Sequence, residues 1–168
     1  NVIIRNGTVK GRSGLALWDG ISTAAATTIV GLAEFYAPAS ATSSLLRMRT
    51  LGVDKWNDGT NAWDDITGTA LTGDTSTRPV FHNMSDEGFM VFTNEGHDRP
   101  RKYTGTGNTA VLGGTPPYCK WLCPYMGFLF LFNTSTDGTF AATADSITSY
   151  FSDVPDENWD SCTGNMLI

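Results

Sequence analysis

Asp54, Asp58 and Asp65, with Gly59 among them, have part of the spacing of a calcium-binding loop. Such a loop takes oxygen ligands at its first, third and fifth positions, glycine at the sixth and a bidentate Glu at the twelfth. Here the first and fifth positions are Asp, the sixth is Gly, and the twelfth is Asp65, which reaches less far than Glu. The third is Trp56, which offers no ligand oxygen. Asn57-Asp58-Gly59 serves a tight hairpin turn without any ion, and the residues favour that reading. His82, His97, Cys119 and Cys123 have side chains suited to zinc, and Cys-x3-Cys on a strand would place both thiols on one face. The interval from His82 to His97 fits no structural zinc pattern, so we assign no metal and no cofactor.

Asp153, Asp156, Glu157 and Asp160 supply carboxylates of the kind a glycosidase pairs as acid and base. Crowded into one Pro-containing loop, they read more simply as a solvated surface. Ser152-Asp153 near Trp159 partly matches the Ser-x-Asp-x-Gly-x-x-Trp box of sialidase-type propellers, but the Gly and the spacing are missing. The chain has no strained Ser elbow, no phosphate-cradling Gly loop and no His-centred triad. The expectation is a protein that is not an enzyme. Trp18, Trp56, Trp63, Trp121 and Trp159 could stack on sugars. An aromatic at a fixed point of a repeat more simply packs one sheet on the next.

Charged residues make up 17% of the 168, and Gly, Thr, Ser and Asn are abundant, which suits a turn-rich β protein. The formal net charge of −6 comes without a basic stripe, so a tight grip on nucleic acid is not expected. Three cysteines are too few, and odd in number, for a disulfide scaffold; they read as small buried hydrophobes in a reducing compartment. The longest apolar run, Phe128 to Phe132, is far short of the ~20 residues of a membrane helix. Asn1 to Arg5 reads as if it begins mid-strand, and Cys162 to Ile168 stops on an apolar run. These ends predict an incomplete portion of a larger protein.

The elements that must carry these residues are short strands. Asn6-Gly7 joins Val2–Arg5 to Thr8–Lys10 in a hairpin pattern. Further strands are predicted over Leu15–Trp18, Thr27–Leu32, Leu45–Thr50, Val53–Trp56, Trp63–Ile66, Val80–Asn83 and Phe89–Thr93. Others follow over Arg101–Tyr103, Ala110–Leu112, Trp121–Tyr125, Phe128–Phe132 and Ser149–Phe151. No window has helical periodicity, so the class is all-β. Phe128–Phe132 is apolar at every position and is expected to be covered on both faces.

Trp56, Tyr103 and Tyr150 recur at about 47 residues, the length of one four-stranded propeller blade. Lys55 and Lys102 precede the first two, and a Gly-containing turn and a second strand follow each. A small sheet cannot bury both faces alone, so the period predicts β-propeller-like stacked antiparallel sheets. The three aromatics should then occupy equivalent places in successive sheets. Residues 1–33 are expected to be strands or an arm leading into the sheets, and residues 34–168 the sheets themselves.

From Arg78 onward the chain carries Arg78-Pro79-Val80-Phe81, Phe89 to Gly96, Arg99 to Tyr103 and Gly113-Gly114-Thr115-Pro116-Pro117. Tyr125 to Thr134 follows, with Leu129, Leu131 and Asn133, and then Tyr150-Phe151-Ser152-Asp153, Pro155 and Asn158-Trp159. In order and type these resemble a family of tail proteins of short-tailed bacteriophages. Asn1–Gly7 with Gly11–Leu15 is similar to the segment that precedes the propeller there. The chain departs from the pattern at Phe128, where Arg is common, at Phe151, where Trp is common, and in the spacing of Pro155 to Trp159.

The resemblance implies a structural virion protein, part of the tail tube, nozzle or head-to-tail channel. Its partners would be copies of itself in a ring, commonly sixfold, and portal, adaptor or other tail proteins. DNA would be retained and then ejected through the channel without tight binding. It would be assembled in the host cytoplasm and reside in the tail. The alternative, from the aromatic content, is a carbohydrate-binding or glycan-cleaving propeller domain; a third reading is a generic propeller interaction scaffold.

Overall fold

The computed structural model describes residues 2–5, 8–11, 28–38, 40–84, 87–140, 149–153 and 158–162. They form strands and turns with no helix, and so no helix long and apolar enough to cross a membrane. The first hairpin pairs β1 (Val2–Arg5) with β2 (Thr8–Gly11), with Arg5 opposite Thr8. The expected strand at Leu15–Trp18 lies outside the described residues.

Three four-stranded antiparallel meanders follow, each built from consecutive strands. The first sheet holds β3 (Ile29–Ala37), β4 (Thr42–Arg49), β5 (Gly52–Asn57) and β6 (Ala62–Asp65). The second holds β7 (Val80–Met84), β8 (Phe89–Thr93), β9 (Arg101–Tyr103) and β10 (Ala110–Val111). The third holds β11 (Tyr118–Tyr125), β12 (Phe128–Ser135), β13 (Ser149–Asp153) and β14 (Asn158–Cys162). The expected boundary between residues 33 and 34 falls inside β3. Ala33 and Phe35 alternate onto the same buried face there, so the first sheet begins at Ile29.

The sheets stack face to face. Phe35, Leu46, Met48 and Val53 of the first meet Met90, Phe92 and Tyr103 of the second. On the opposite face of the second, Met84, Val91 and Leu112 meet Cys119, Leu122, Leu129 and Leu131 of the third. Contact between sheets runs through their opening strands, β3 against β7 and β8, and β11 against β7 and β8. Gly31 permits the first approach, because a Cβ there would lie 2.5 Å from Pro79 Cγ.

The second sheet, covered on both sides, buries Met90, Val91, Phe92 and Thr93 in succession, while Phe89 is half-buried. The expectation of two-sided burial for Phe128–Phe132 is corrected. In β12 only Leu129 and Leu131 are buried; Phe130 and Phe132 are half-buried and Phe128 is exposed. The alternation is that of a strand with one core face. The three phenylalanines line up on the other face, with ring centroids 6.4 and 6.3 Å apart from one to the next.

Candidate functional site

The repeat aromatics stand on the third strand of successive sheets: Trp56 on β5, Tyr103 on β9 and Tyr150 on β13. Val53 points into the interface with the second sheet, so Asp54 and Trp56 lie on the face turned away from it. Tyr103 packs edge-on against Phe35, at 5.6 Å, and so faces the first sheet. Tyr150 pairs with Leu131 of β12. Lys55 and Lys102 sit one position earlier, opposite Leu46 and Val91.

Asp54 and Asp65, two of the three carboxylates with ion-loop spacing, are engaged by arginines of β4. Asp54 is buried and accepts from Arg47 Nε at 2.7 Å and from Arg49 Nε and Nη2 at 2.8 and 2.7 Å. Arg49 Nη2 also reaches Asp65 at 2.9 Å. Arg47 lies over the Trp63 ring, which meets Trp56 edge-on at 5.4 Å. Burial alone would push Asp65 up, but hydrogen bonds from Thr67 and the charge of Arg49 hold its carboxyl below the ordinary value. Burial would lower Arg49, yet the bonds and charges of Asp54 and Asp65 raise it. Asp54 is thus committed to guanidinium groups, Asp65 is shared between Arg49 and Thr67 N, and Asp58 accepts from Trp56 Nε1. The Asn57-Asp58-Gly59 turn is a longer loop than expected: Asn57 pairs with Ala62, and Asn61 takes the left-handed φ of 49°.

His82, His97, Cys119 and Cys123, to which no metal is assigned, form no metal-holding cluster among the described residues. Cys119 is buried in the core and Cys123 is exposed on the opposite face, so the two thiols do not share a face. The ladder between β11 and β12 keeps one register but skips the pair Lys120 and Asn133, where Asn133 adopts a φ of 49°. The left-handed residue, which Asn tolerates, breaks the two-residue alternation. Burial pushes the Cys119 thiol up to about 12. The reading of Cys123 as buried is likewise corrected. Among the described residues no three His, Cys, Asp or Glu side chains could hold a metal.

Of the other singled-out positions, Tyr125 closes β11 and is exposed, opposite Phe128. Ser152 pairs with Leu129 and Trp159, and Asp153 with Phe128 and Asn158. Asp160 stands opposite Phe151, while positions 156 and 157 lie outside the described residues. The carboxylates at 153 and 160 therefore belong to two paired strands.

Two surfaces could engage a partner. A cleft of about 650 Å³ lies where the first two sheets meet, lined by Ser44, Lys55, Trp56, Asn57, Asp64 and Tyr103, among others. Two of its polar groups are satisfied internally: Trp56 Nε1 donates to Asp58 at 2.7 Å, and Asn57 Nδ2 to Asp64 at 2.7 Å. The Trp56 ring is buried and presents no open face for a sugar.

The outer face of β11 differs. Trp121 is 53% and Tyr125 64% exposed, with Met126 and Phe128 beside them. Trp121 pairs with Phe132, Cys123 with Phe130 and Tyr125 with Phe128, which makes one continuous aromatic face. Sequence reading missed this face because it treated the apolar run as core. Alternation in Trp121-Leu122-Cys123-Pro124-Tyr125 could have signalled a second, outward row.

Sequence reasoning also missed Arg101, whose burial lowers its guanidinium. Its Nη1 donates to Thr67 O at 2.9 Å and Thr109 Oγ1 at 3.2 Å, tying the second sheet to the loop after β6, and its buried Nε has no hydrogen-bond partner. No family model, curated protein or solved structure matches the chain.

Proposed function

We propose that this chain is a propeller-type structural module of a short-tailed phage, part of the tail tube, nozzle or head-to-tail channel. The observation that carries the reading is the succession of three four-stranded meanders, stacked through their opening strands, with an aromatic on each third strand. It joins the order of motifs from Arg78 to Trp159 that resembles the tail-protein family. In this role the chain is not an enzyme. Copies of it form a ring, commonly sixfold, beside portal, adaptor or other tail proteins in the virion. A conduit gains from rigid sheets and from an acidic balance that repels phosphates, so DNA slides past without being held.

One observation favours the second reading, a carbohydrate-binding propeller domain. Trp121 and Tyr125 are exposed on one strand at a separation of roughly 13 Å, as platforms under a chain of sugars would be. Native mass spectrometry and electron microscopy separate the two. A closed ring with weak DNA affinity even at low salt supports the tail reading. A monomer that binds a polysaccharide, or a tight DNA complex, refutes it.

A further inference from the structure

We propose that Lys55 binds the anionic group of a small acidic or phosphorylated sugar in the cleft between the first two sheets. The inference goes beyond the structural role above and does not depend on it. It starts from two lysines at equivalent places. Lys55 on β5 stands opposite Leu46, and Lys102 on β9 stands opposite Val91. Leu46 packs toward the second sheet and Val91 toward the third, so each lysine is turned toward the sheet that follows. Their surroundings differ at two positions. Lys102 Nζ lies 5.6 Å from the centroid of the Phe89 ring, and its other cross-strand partner is Ala110. In the first sheet Ser44 stands two residues before Leu46, in the place of Phe89, and Asp64 stands opposite Lys55, in the place of Ala110. Serine covers far less than phenylalanine, so a cleft opens where the second sheet is closed. Among the described residues half-buried Lys55 has no ion pair and no hydrogen bond.

Two cavities share Lys55, Ser44 and Thr106 in their walls. The smaller, of about 270 Å³, has Lys55 as its one charged wall residue. Around it the hydroxyls of Ser44, Thr104 and Thr106 have no hydrogen-bond partner among the described residues. An unpaired ammonium among free hydroxyl donors suits an oxyanion, whether carboxylate, sulfate or phosphate. The larger cavity adds Asp58 and Asp64. Asp58 Oδ1 is taken by Trp56 and Asp64 Oδ2 by Asn57, which leaves one oxygen of each to accept from a ligand. Sugar hydroxyls supply such donors, and the Trp56 ring need not stack on them. The same carboxylates repel a second anionic group, so a polyphosphate strand is disfavoured while a singly charged sugar is accepted.

Isothermal titration of the 168-residue chain with glucuronate, glucose phosphate, glucose and inorganic phosphate tests this. At least one of the two anionic sugars should bind at least tenfold more tightly than glucose or inorganic phosphate, and less tightly as salt is added. Lys55→Gln should lower that affinity at least tenfold with an unchanged melting temperature. Asp64→Asn should tighten inorganic phosphate and so narrow the preference for the sugar. In the unaltered chain the bound sugar should protect Lys55 from an amine-acetylating reagent, read by peptide mapping. Inorganic phosphate bound as tightly as either anionic sugar would reduce the site to an adventitious ion and overturn the proposal. Binding that survives Lys55→Gln, acetylation of Lys55 that the sugar does not slow, or no binding of either anionic sugar would overturn it too. None of these outcomes bears on whether copies of the chain form a ring.

Discussion

β8 and β12 carry nearly the same kind of pentapeptide, Phe89-Met90-Val91-Phe92-Thr93 and Phe128-Leu129-Phe130-Leu131-Phe132, yet their surroundings differ. β8 sits in the middle sheet and gives Met90 and Phe92 to one core and Val91 to the other. β12 gives only Leu129 and Leu131 to a core, while its phenylalanines form an outer row. An apolar run reports how much a strand gains from being covered. It does not report how many neighbours the fold supplies. In this molecule β8 lies between two sheets, whereas among the described residues β12 meets another sheet on one face only.

The comparison breaks most sharply under charge. Leu131→Asp buries an unpaired carboxylate against the second sheet and should cost several kcal/mol, a large part of the ~5–15 kcal/mol that holds a domain together. Insoluble or unfolded protein is expected. Phe128→Asp, three residues away on the other face, should remain soluble with a cooperative melt. Equal outcomes for the two would mean that β12 is covered on both sides after all.

Truncation tests the same contrast more gently. Phe92→Ala empties a fully buried site between the first two sheets and should cost about 3–5 kcal/mol in urea denaturation. Phe130→Ala, in the half-buried outer row, should cost about 1 kcal/mol. If Phe130→Ala approached the cost of Phe92→Ala, its ring would be packed far more tightly than its exposure indicates.

The two thiols of β11 report on the same two faces without mutation. Cys123 is exposed and should react with a maleimide within minutes. Cys119 is fully buried and its thiol is pushed up to about 12, so at pH 8 it lacks both access and thiolate. Peptide mapping should find it labelled only as the chain unfolds. Rapid labelling of Cys119 in the native protein would show that β11 opens locally.

Much of this layering was legible in the sequence, and the illegible parts share a cause. The short strands around Trp56 and Tyr103 could be read from alternation and turn residues, because both are local. β14, with one large apolar residue in Asn158-Trp159-Asp160-Ser161-Cys162, gave no such signal. Non-local pairing was hidden as well. The partner of Asp54 could not be read, because nothing along the chain shows that β4 places Arg47 opposite it. Cys119 and Cys123 looked co-facial because a strand alternates, but the ladder skips Lys120 and Asn133, where Asn133 is left-handed, and the two thiols fall on opposite faces. The outer aromatic face was missed for the reason that separates β8 from β12: burial depends on neighbours that the segment itself does not encode.

The smallest effect concerns the turn that presents that face. Tyr125 and Phe128 pair directly, so Met126-Gly127 is a two-residue hairpin loop, with φ of 50° and 82°. Such primed turns place both central residues in the left-handed region, where Asn and Gly fit and a long side chain is strained. The corresponding turn of the covered sheet, between β7 and β8, has Gly88 at a φ of 75°. Met126 is 79% exposed, so few contacts within the chain offset its backbone cost. Met126→Asn should therefore raise stability by about 0.5–1 kcal/mol in urea denaturation. A loss of stability would mean that the Met126 side chain packs on its own chain. A gain in monomer stability with weakened self-association would place Met126 in the contact between copies, held there at the expense of the turn.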